Sequence, residues 1–325
     1  MEKFVKYFMF VMLASALIFA GCAKDDDDET PTTPTTTTYD LLTEYLISNN
    51  MDADEVIADW ITTAENVATK GTDAWHIIDL RAADTYDAGH IEGAVNATLG
   101  GILAAAEGAT KPILVVCYTG QTAGHAVMAL RLSGYADAKV LKWGMAGWNS
   151  TTAAKWVDNT GDAAIGHANW IVPPIDITPD AEFALPVLTS ESEDGATILA
   201  ERVAALLEGG FMGVANADVL ATPANYFINN YWALTDVEHY GHIMGAYRIN
   251  PFTLEAGNDL NLDASKTVVT YCWTGQTSSM MTAYLVVLGY DAKSLKFGAN
   301  GMIYSNLESH KYTVPTVDYP LVPTK

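Results

Sequence analysis

One six-residue stretch occurs twice, and it constrains the fold more than any other feature of the chain. Cys117-Tyr118-Thr119-Gly120-Gln121-Thr122 follows the apolar run Ile113-Leu114-Val115-Val116, and Cys272-Trp273-Thr274-Gly275-Gln276-Thr277 follows Val268-Val269-Thr270-Tyr271. Each copy leads into a small-then-apolar pattern over about ten residues, so each reads as strand, tight loop, helix, with the cysteine where the strand ends. The 325 residues contain three cysteines, and two of them hold this position. A pair of buried structural thiols would not need the same Thr-Gly-Gln-Thr after each.

Such a loop has a defined chemistry. Loop amides and the unsatisfied first-turn donors of the following helix converge on the cysteine and favour an anion there, whether a thiolate, a persulfide or a bound oxyanion. A free thiol at about 8.5 is only a few per cent ionised near neutral pH, and lowering it by two units takes roughly 2.7 kcal/mol. A helix dipole supplies about 0.3–1 kcal/mol. The loop amides are therefore expected to provide the rest, since neither loop contains Lys or Arg. Cys117 and Cys272 are the candidate nucleophiles.

Around these loops the sequence resembles the rhodanese family. The residues that carry the resemblance are Asp79-Leu80-Arg81, Tyr86, Gly89-His90-Ile91-Glu92-Gly93-Ala94, the Cys117 loop, and Gly144 and Gly147. The second half repeats Gly241-His242-Ile243-Met244-Gly245-Ala246, the Cys272 loop, and Gly298 and Gly301. The resemblance implies an α/β fold of two rhodanese-like domains, each a parallel five-stranded sheet flanked by helices. It also implies sulfur transfer through a cysteine persulfide. The backbone amides of Tyr118, Thr119, Gly120, Gln121 and Thr122 would hold the outer sulfur, as would those of Trp273, Thr274, Gly275, Gln276 and Thr277 in the second copy. The Thr119 and Thr122 hydroxyls are expected to bond the donor, and Gln121 to favour a neutral or smaller one. Asp79, Arg81, His90 and His242 are expected to be structural, since buried charges are usually paired and a buried histidine usually makes one hydrogen bond. In the second half Asn229, Asn230 and Tyr231 are aligned with Asp79, Leu80 and Arg81, so its scaffold charges are lost while its loop is kept. That contrast makes Cys117 the first candidate and Cys272 the second. Related Cys-based phosphatases need an arginine six positions after the cysteine to grip a phosphoryl group. Here those positions are Ala123 and Ser278.

The ends and the charge set the surroundings. Lys3 and Lys6, an apolar run over residues 8–20 and the ending Phe19-Ala20-Gly21-Cys22 have the form of a signal peptide over residues 1–21 closing on a bacterial lipobox, with Cys22 as the lipidated residue. Residues 22–38, acidic and then Thr- and Pro-rich, read as an extended tether. The expected location is the bacterial cell envelope, on the periplasmic or surface face of the outer membrane. A formal charge of −22 and a pI near 4.4 exclude nucleic acid as a natural partner. Expected partners are a small sulfur donor, a thiol or cyanide-like acceptor, and a membrane through the lipid alone.

The offset between the halves is 152 residues at the two histidines and 155 at the two cysteines. Domains of about that size place the first at residues 39–165, a Pro-punctuated linker or packing segment at 166–192, and the second at 193–325. Helices are expected over residues 39–50, 54–67, 82–88 and 196–207, and strands over 75–80 and 139–141. Asp259-x-Asn261-x-Asp263 begins like a calcium loop, but Ala264 stands where a glycine is required. His239 and His242 lack the further ligands of a zinc set. With no Walker loop, GxGxxG or GxSxG motif, no metal or cofactor is expected.

Overall fold

The computed structural model describes residues 36–172, 179, 181–250, 252–255 and 260–324. The signal-like segment, Cys22 and nearly all of the tether lie outside them.

The strands in chain order are β1 (Ile61–Thr62), β2 (His76–Asp79), β3 (Val95–Asn96), β4 (Ile113–Val116), β5 (Lys139–Leu141), β6 (Trp170–Ile171), β7 (Gly213–Val214), β8 (Tyr226–Asn230), β9 (His242–Ile243), β10 (Ala246–Tyr247), β11 (Thr267–Tyr271) and β12 (Ala292–Leu295). The helices are α1 (Thr38–Ser48), α2 (Ala53–Val56), α3 (Ala64–Lys70), α4 (Ala83–Ala88), α5 (Ile102–Ala106), α6 (Gln121–Leu132), α7 (Ala154–Val157), α8 (Gly195–Gly209), α9 (Asn216–Ala221), α10 (Leu234–Tyr240) and α11 (Gln276–Val287). Two five-stranded sheets result, ordered β1-β5-β4-β2-β3 and β10-β8-β11-β12-β7, with every pairing parallel. Each repeat is thus the α/β unit, a parallel five-stranded sheet flanked by helices, that the resemblance implies. The central strands β4 and β11 carry apolar runs buried on both faces, as parallel sheets covered by helices require.

The expected helix over residues 54–67 is instead α2, β1 and α3. Asp59 adopts a positive φ of 50° and breaks the helix, and Ile61–Thr62 then pairs with Val140 and Leu141 at the sheet edge. A two-residue edge strand leaves no period for the sequence to display.

The two repeats share one interior. α6 and α11 lie side by side and α1 packs on α8, so Leu42, Leu46, Leu130, Leu206, Met280 and Tyr284 belong to one continuous buried cluster. The α6–α11 crossing is close because position 124 is glycine: a Cβ there would stand 2.1 Å from Ser279 Oγ. Asp52 caps α2 and reaches across the boundary, accepting from Thr253 Oγ1 at 2.6 Å and Leu254 N at 2.7 Å.

Each repeat also sends its following segment onto the other. β6, from the expected linker, pairs antiparallel with β9, joining Ile171 to His242. The C-terminal segment bridges back to the first repeat, with His90 N donating to Val322 O at 3.0 Å and Val322 N to His90 O at 2.9 Å. The two Gly-His-Ile segments, 152 residues apart, therefore receive tails from opposite repeats.

Candidate active site

Both cysteines sit one residue beyond a central strand, where the chain turns into α6 or α11. The turn is made by Gly120 and Gly275, at φ 83° and 75°, in the left-handed region that glycine enters without strain. These glycines are needed for a second reason. A Cβ at Gly120 would stand 1.9 Å from Gln276 Nε2, and one at Gly275 would stand 2.4 Å from Gln121 Oε1. Each loop receives the other's glutamine.

That exchange places Gln121 and Gln276 differently from the expected donor contact. Gln276 Nε2 donates to Thr119 O at 3.3 Å, and Gln121 Oε1 accepts from Phe297 N at 2.9 Å. Both side chains are buried. They tie the loops together across the repeat boundary. Trp156 strengthens the tie, its Nε1 donating to Thr119 O and Trp143 O at 3.2 Å each, while its ring meets Trp143, Phe297 and Tyr312.

Cys117 is 3% exposed and its sulfur accepts from Gly120 N at 3.1 Å. Burial pushes its thiol up from the usual range, while the amides of Ala123, Thr119 and Gly120 pull it down and the carboxylate of Asp79 pushes it up again. Of the amides expected at this sulfur, those of Thr119 and Gly120 act on it, joined by Ala123 from the first turn of α6, and in the resting protein desolvation outweighs them. Cys272 is 2% exposed, accepts from Ser278 N at 3.3 Å and lies 3.6 Å from Ser278 Oγ. The cysteines remain free thiols.

The aromatic residue after each cysteine is half-buried. Tyr118 Oη donates to Thr85 Oγ1 at 3.0 Å, and Lys155 Nζ stands 5.9 Å from its ring centre. Trp273 is sandwiched between Trp232, 4.3 Å away at 11°, and His310, 5.2 Å away at 13°. Burial pushes His310 down, aided by the nearby charge of Lys142. No lysine is among the groups that act on the Cys117 thiol. Thr119 Oγ1 accepts from Gln121 Nε2 at 3.1 Å, and Thr274 Oγ1 from Gln276 N at 3.2 Å, so both hydroxyls are engaged within their loops. Thr122 and Thr277 stay partly exposed on the first turns of α6 and α11.

Asp79 and Arg81 form a buried pair at 2.7 Å, and Arg81 also donates to Gly89 O at 2.8 Å, closing the corner before His90. His90 stacks on Tyr86 at 3.9 Å, with Nδ1 3.0 Å from Tyr86 O. His242 Nδ1 lies 2.9 Å from Ile243 O. The register corrects the expected alignment by one residue. Asp79 pairs with Val116 and Asn230 with Tyr271, each partner immediately preceding its cysteine. Asn230, Tyr231 and Trp232 therefore occupy the places of Asp79, Leu80 and Arg81. An indole stacked on Trp273 replaces the guanidinium, and without its charges the segment offered no anchor for alignment. Trp232 and Ser278 are neighbours of the second loop to which the sequence reading gave no role; the serine's spacing of six from the cysteine was its visible signal.

Two surface cavities, of about 460 and 430 Å³, are lined respectively by Lys142, Trp143 and residues 313–317 among others, and by Trp170, Val172, His239 and Tyr240 among others. Neither is lined by Cys117 or Cys272. Among the described residues no cluster of three or more His, Cys, Asp or Glu could hold a metal, and no helix is long and apolar enough to cross a membrane.

Comparison with known proteins agrees with this architecture. A family model described as "Rhodanese-like domain" matches residues 62–151 and again 175–302. The thiosulfate sulfurtransferase GlpE of Pseudomonas fluorescens is 33% identical over 82 residues, 24% of this chain and 74% of that protein. The uncharacterized protein YibN of Escherichia coli is 36% identical over 77 residues, 22% of this chain and 54% of that protein. Among solved structures, the thiosulfate sulfurtransferase of Pseudomonas aeruginosa aligns over 86% of this chain and 49% of its own, at 16% identity and a TM-score of 0.29. The two family matches cover both cysteine loops and, apart from Ile61 of β1, both sheets, and the chain belongs to the rhodanese-like domain family, with two copies in tandem.

Proposed function

We propose that the chain is a sulfurtransferase that carries sulfane sulfur as a cysteine persulfide, from a donor such as thiosulfate to a thiophilic acceptor. The observation that carries this reading is the duplicated loop and the amides at its sulfurs: Gly120 N, within the first copy, reaches Cys117 at 3.1 Å, and Ser278 N, one residue beyond the second copy, reaches Cys272 at 3.3 Å. In the first half-reaction a cysteine thiolate attacks the outer sulfur of the donor. A new S–S bond forms, the donor's S–S bond breaks, and sulfite leaves with the electron pair. The persulfide's terminal charge then lies among the loop amides. In the second half-reaction the acceptor takes the outer sulfur and the thiolate is regenerated. Lys155 Nζ stands 5.9 Å from the ring of Tyr118, the residue after Cys117, and is the cation the first loop offers an anionic donor against a chain of net charge −22.

The test is cyanide-dependent release of thiocyanate from thiosulfate by residues 36–325, compared with Cys117→Ala, Cys272→Ala and the double variant. Turnover lost only in the double variant, or largely lost in one single variant, supports the reading. Equal turnover in the double variant contradicts it. A second reading, a non-catalytic rhodanese-fold module that presents the loops as a binding surface, is favoured by the near-complete burial of both sulfurs. It predicts no turnover and no cysteine gaining sulfur.

We further propose that Cys22 carries a lipid that holds the protein at the cell envelope. Metabolic labelling with a fatty acid should mark the protein and should fail in Cys22→Ala; label retained in that variant would contradict the anchor.

A further inference from the structure

The loops share their sequence, but their sulfurs do not share their neighbours. Six positions after the cysteine stands Ala123 in the first repeat and Ser278 in the second. On the adjacent strand Val140 pairs with Val115, and Ser294 with Thr270, two positions before each cysteine. Cys272 therefore has a polar seat where Cys117 has methyl groups. Ser278 N donates to the sulfur at 3.3 Å, and the thiol donates to Ser278 Oγ at 3.6 Å. The Ser278 and Ser294 hydroxyls are 2.8 Å apart, and Ser294 Oγ donates to Gly275 O at 3.4 Å. Both serines are fully buried.

A second difference has the same sign. The buried carboxylate of Asp79 opposes negative charge on Cys117. Its counterpart by register, Asn230, is neutral. Tyr231 beside it adds no charge, because burial, Asp54 and Cys272 hold its phenol protonated, pushed up to about 12. Access does not separate the two cysteines, which are 3% and 2% exposed.

We propose that Ser278 is a catalytic residue of the second loop, its hydroxyl donating to the sulfur of Cys272 whenever that sulfur is negative, with Ser294 as the positioning residue that orients it, so that Cys272 is loaded with sulfur before Cys117. The order of loading rests on the sulfurtransferase reading; the difference in nucleophilicity does not. A hydroxyl has one hydrogen and two lone pairs and turns to suit its partner. With Cys272 protonated, hydrogens run from sulfur to Ser278, on to Ser294 and to Gly275 O. When the thiol proton leaves to solvent, Ser278 turns its hydrogen to the sulfur and Ser294 turns its own to Ser278. The same contact serves both half-reactions. It stabilises the attacking thiolate as the Cys–S bond to the outer sulfur forms and the donor's S–S bond breaks, the electron pair leaving with sulfite. It stabilises the thiolate again when the acceptor removes the outer sulfur and the pair returns to Cys272.

Limited alkylation of residues 36–325 with iodoacetamide at pH 7, read by peptide mass spectrometry, compares both cysteines in one molecule. Cys272 should react about tenfold faster than Cys117, the effect of one hydrogen bond to a charged atom. Ser278→Ala should slow Cys272 about tenfold with the Cys117 rate unchanged, which also reports that the fold is intact. Ser278→Thr should restore the rate, Ser294→Ala should lower it in part, and Ala123→Ser should speed Cys117. In a timed incubation with thiosulfate the added sulfur should appear on Cys272 first. Faster alkylation of Cys117, or a Cys272 rate indifferent to Ser278→Ala, would overturn the proposal. The expected alkylation order with sulfur gained by neither cysteine would overturn the loading order and the sulfurtransferase reading, while leaving the hydroxyl's effect on Cys272 established.

Discussion

Gly120 and Gly275 are where backbone conformation and repeat-to-repeat packing meet in single residues. Gly120→Ala would force a side chain into the left-handed region and against Gln276 Nε2, and should cost at least about 2 kcal/mol, seen as a lowered thermal midpoint. An unchanged midpoint would mean that the glutamine exchange is dispensable. His125 gives a pH-dependent expectation at the same scale. Burial pushes its imidazole down to about 3, and its Nε2 accepts from Met212 N at 3.3 Å. Between the ordinary value near 6.5 and that depressed value, the unfolded chain binds a proton that the folded protein refuses. Stability is therefore complete above pH 6.5 and falls as pH drops toward 3, by up to about 1.4 kcal/mol per pH unit from this group. His125→Met, which installs the residue found at the matching position 280, should flatten the thermal midpoint between pH 6.5 and 4.5. An unaltered slope would show that His125 is protonated within the fold. At this scale the cysteines and glycines were legible because the same hexapeptide recurs. The glutamines' true partners were not, since Gln121 and Phe297 are separated by 176 residues and share no sequence signal.

At the scale of elements, the corner after β2 differs most between the repeats. In the first, Arg81 binds Asp79 and Gly89 O inside the protein, so Arg81→Ala leaves a buried carboxylate uncompensated and should cost about 3–5 kcal/mol in denaturant unfolding. A cost below about 1 kcal/mol, the level of an exposed pair, would contradict the buried-pair account. In the second repeat Trp232 fills the same corner by stacking on Trp273, and the strand and loop persist without ions. The sequence marked the first corner through its charges and misaligned the second by one residue, because a neutral Asn-Tyr-Trp step displays neither charge nor period. β1 was hidden for a related reason, since Ile61 and Thr62 lie among residues that also satisfy a helical spacing.

For the whole molecule, residues 36–325 form one compact unit. The core between α6 and α11 and the crossed tails argue that the repeats unfold together. Calorimetry should show one transition with matching calorimetric and van't Hoff enthalpies, and two separable transitions would contradict this. Deleting residues 318–325 removes the bonds of Ser150 to Asp318, of Trp148 Nε1 to Pro320 O and of His90 to Val322. It should lower the midpoint of that single transition. The duplication could be read from the repeated hexapeptide, and the α/β class from the family resemblance that surrounds it. The crossing of the tails could not, because their backbone hydrogen bonds are indifferent to side-chain identity. The central claim, that amide-lined loops carry sulfur on cysteine, is tested most directly by intact-protein mass spectrometry after incubation with thiosulfate. The account predicts a gain of one sulfur atom on a cysteine, discharged by cyanide and absent from the Cys117→Ala/Cys272→Ala double variant. A protein whose mass stays unchanged, with both thiols intact, would contradict it.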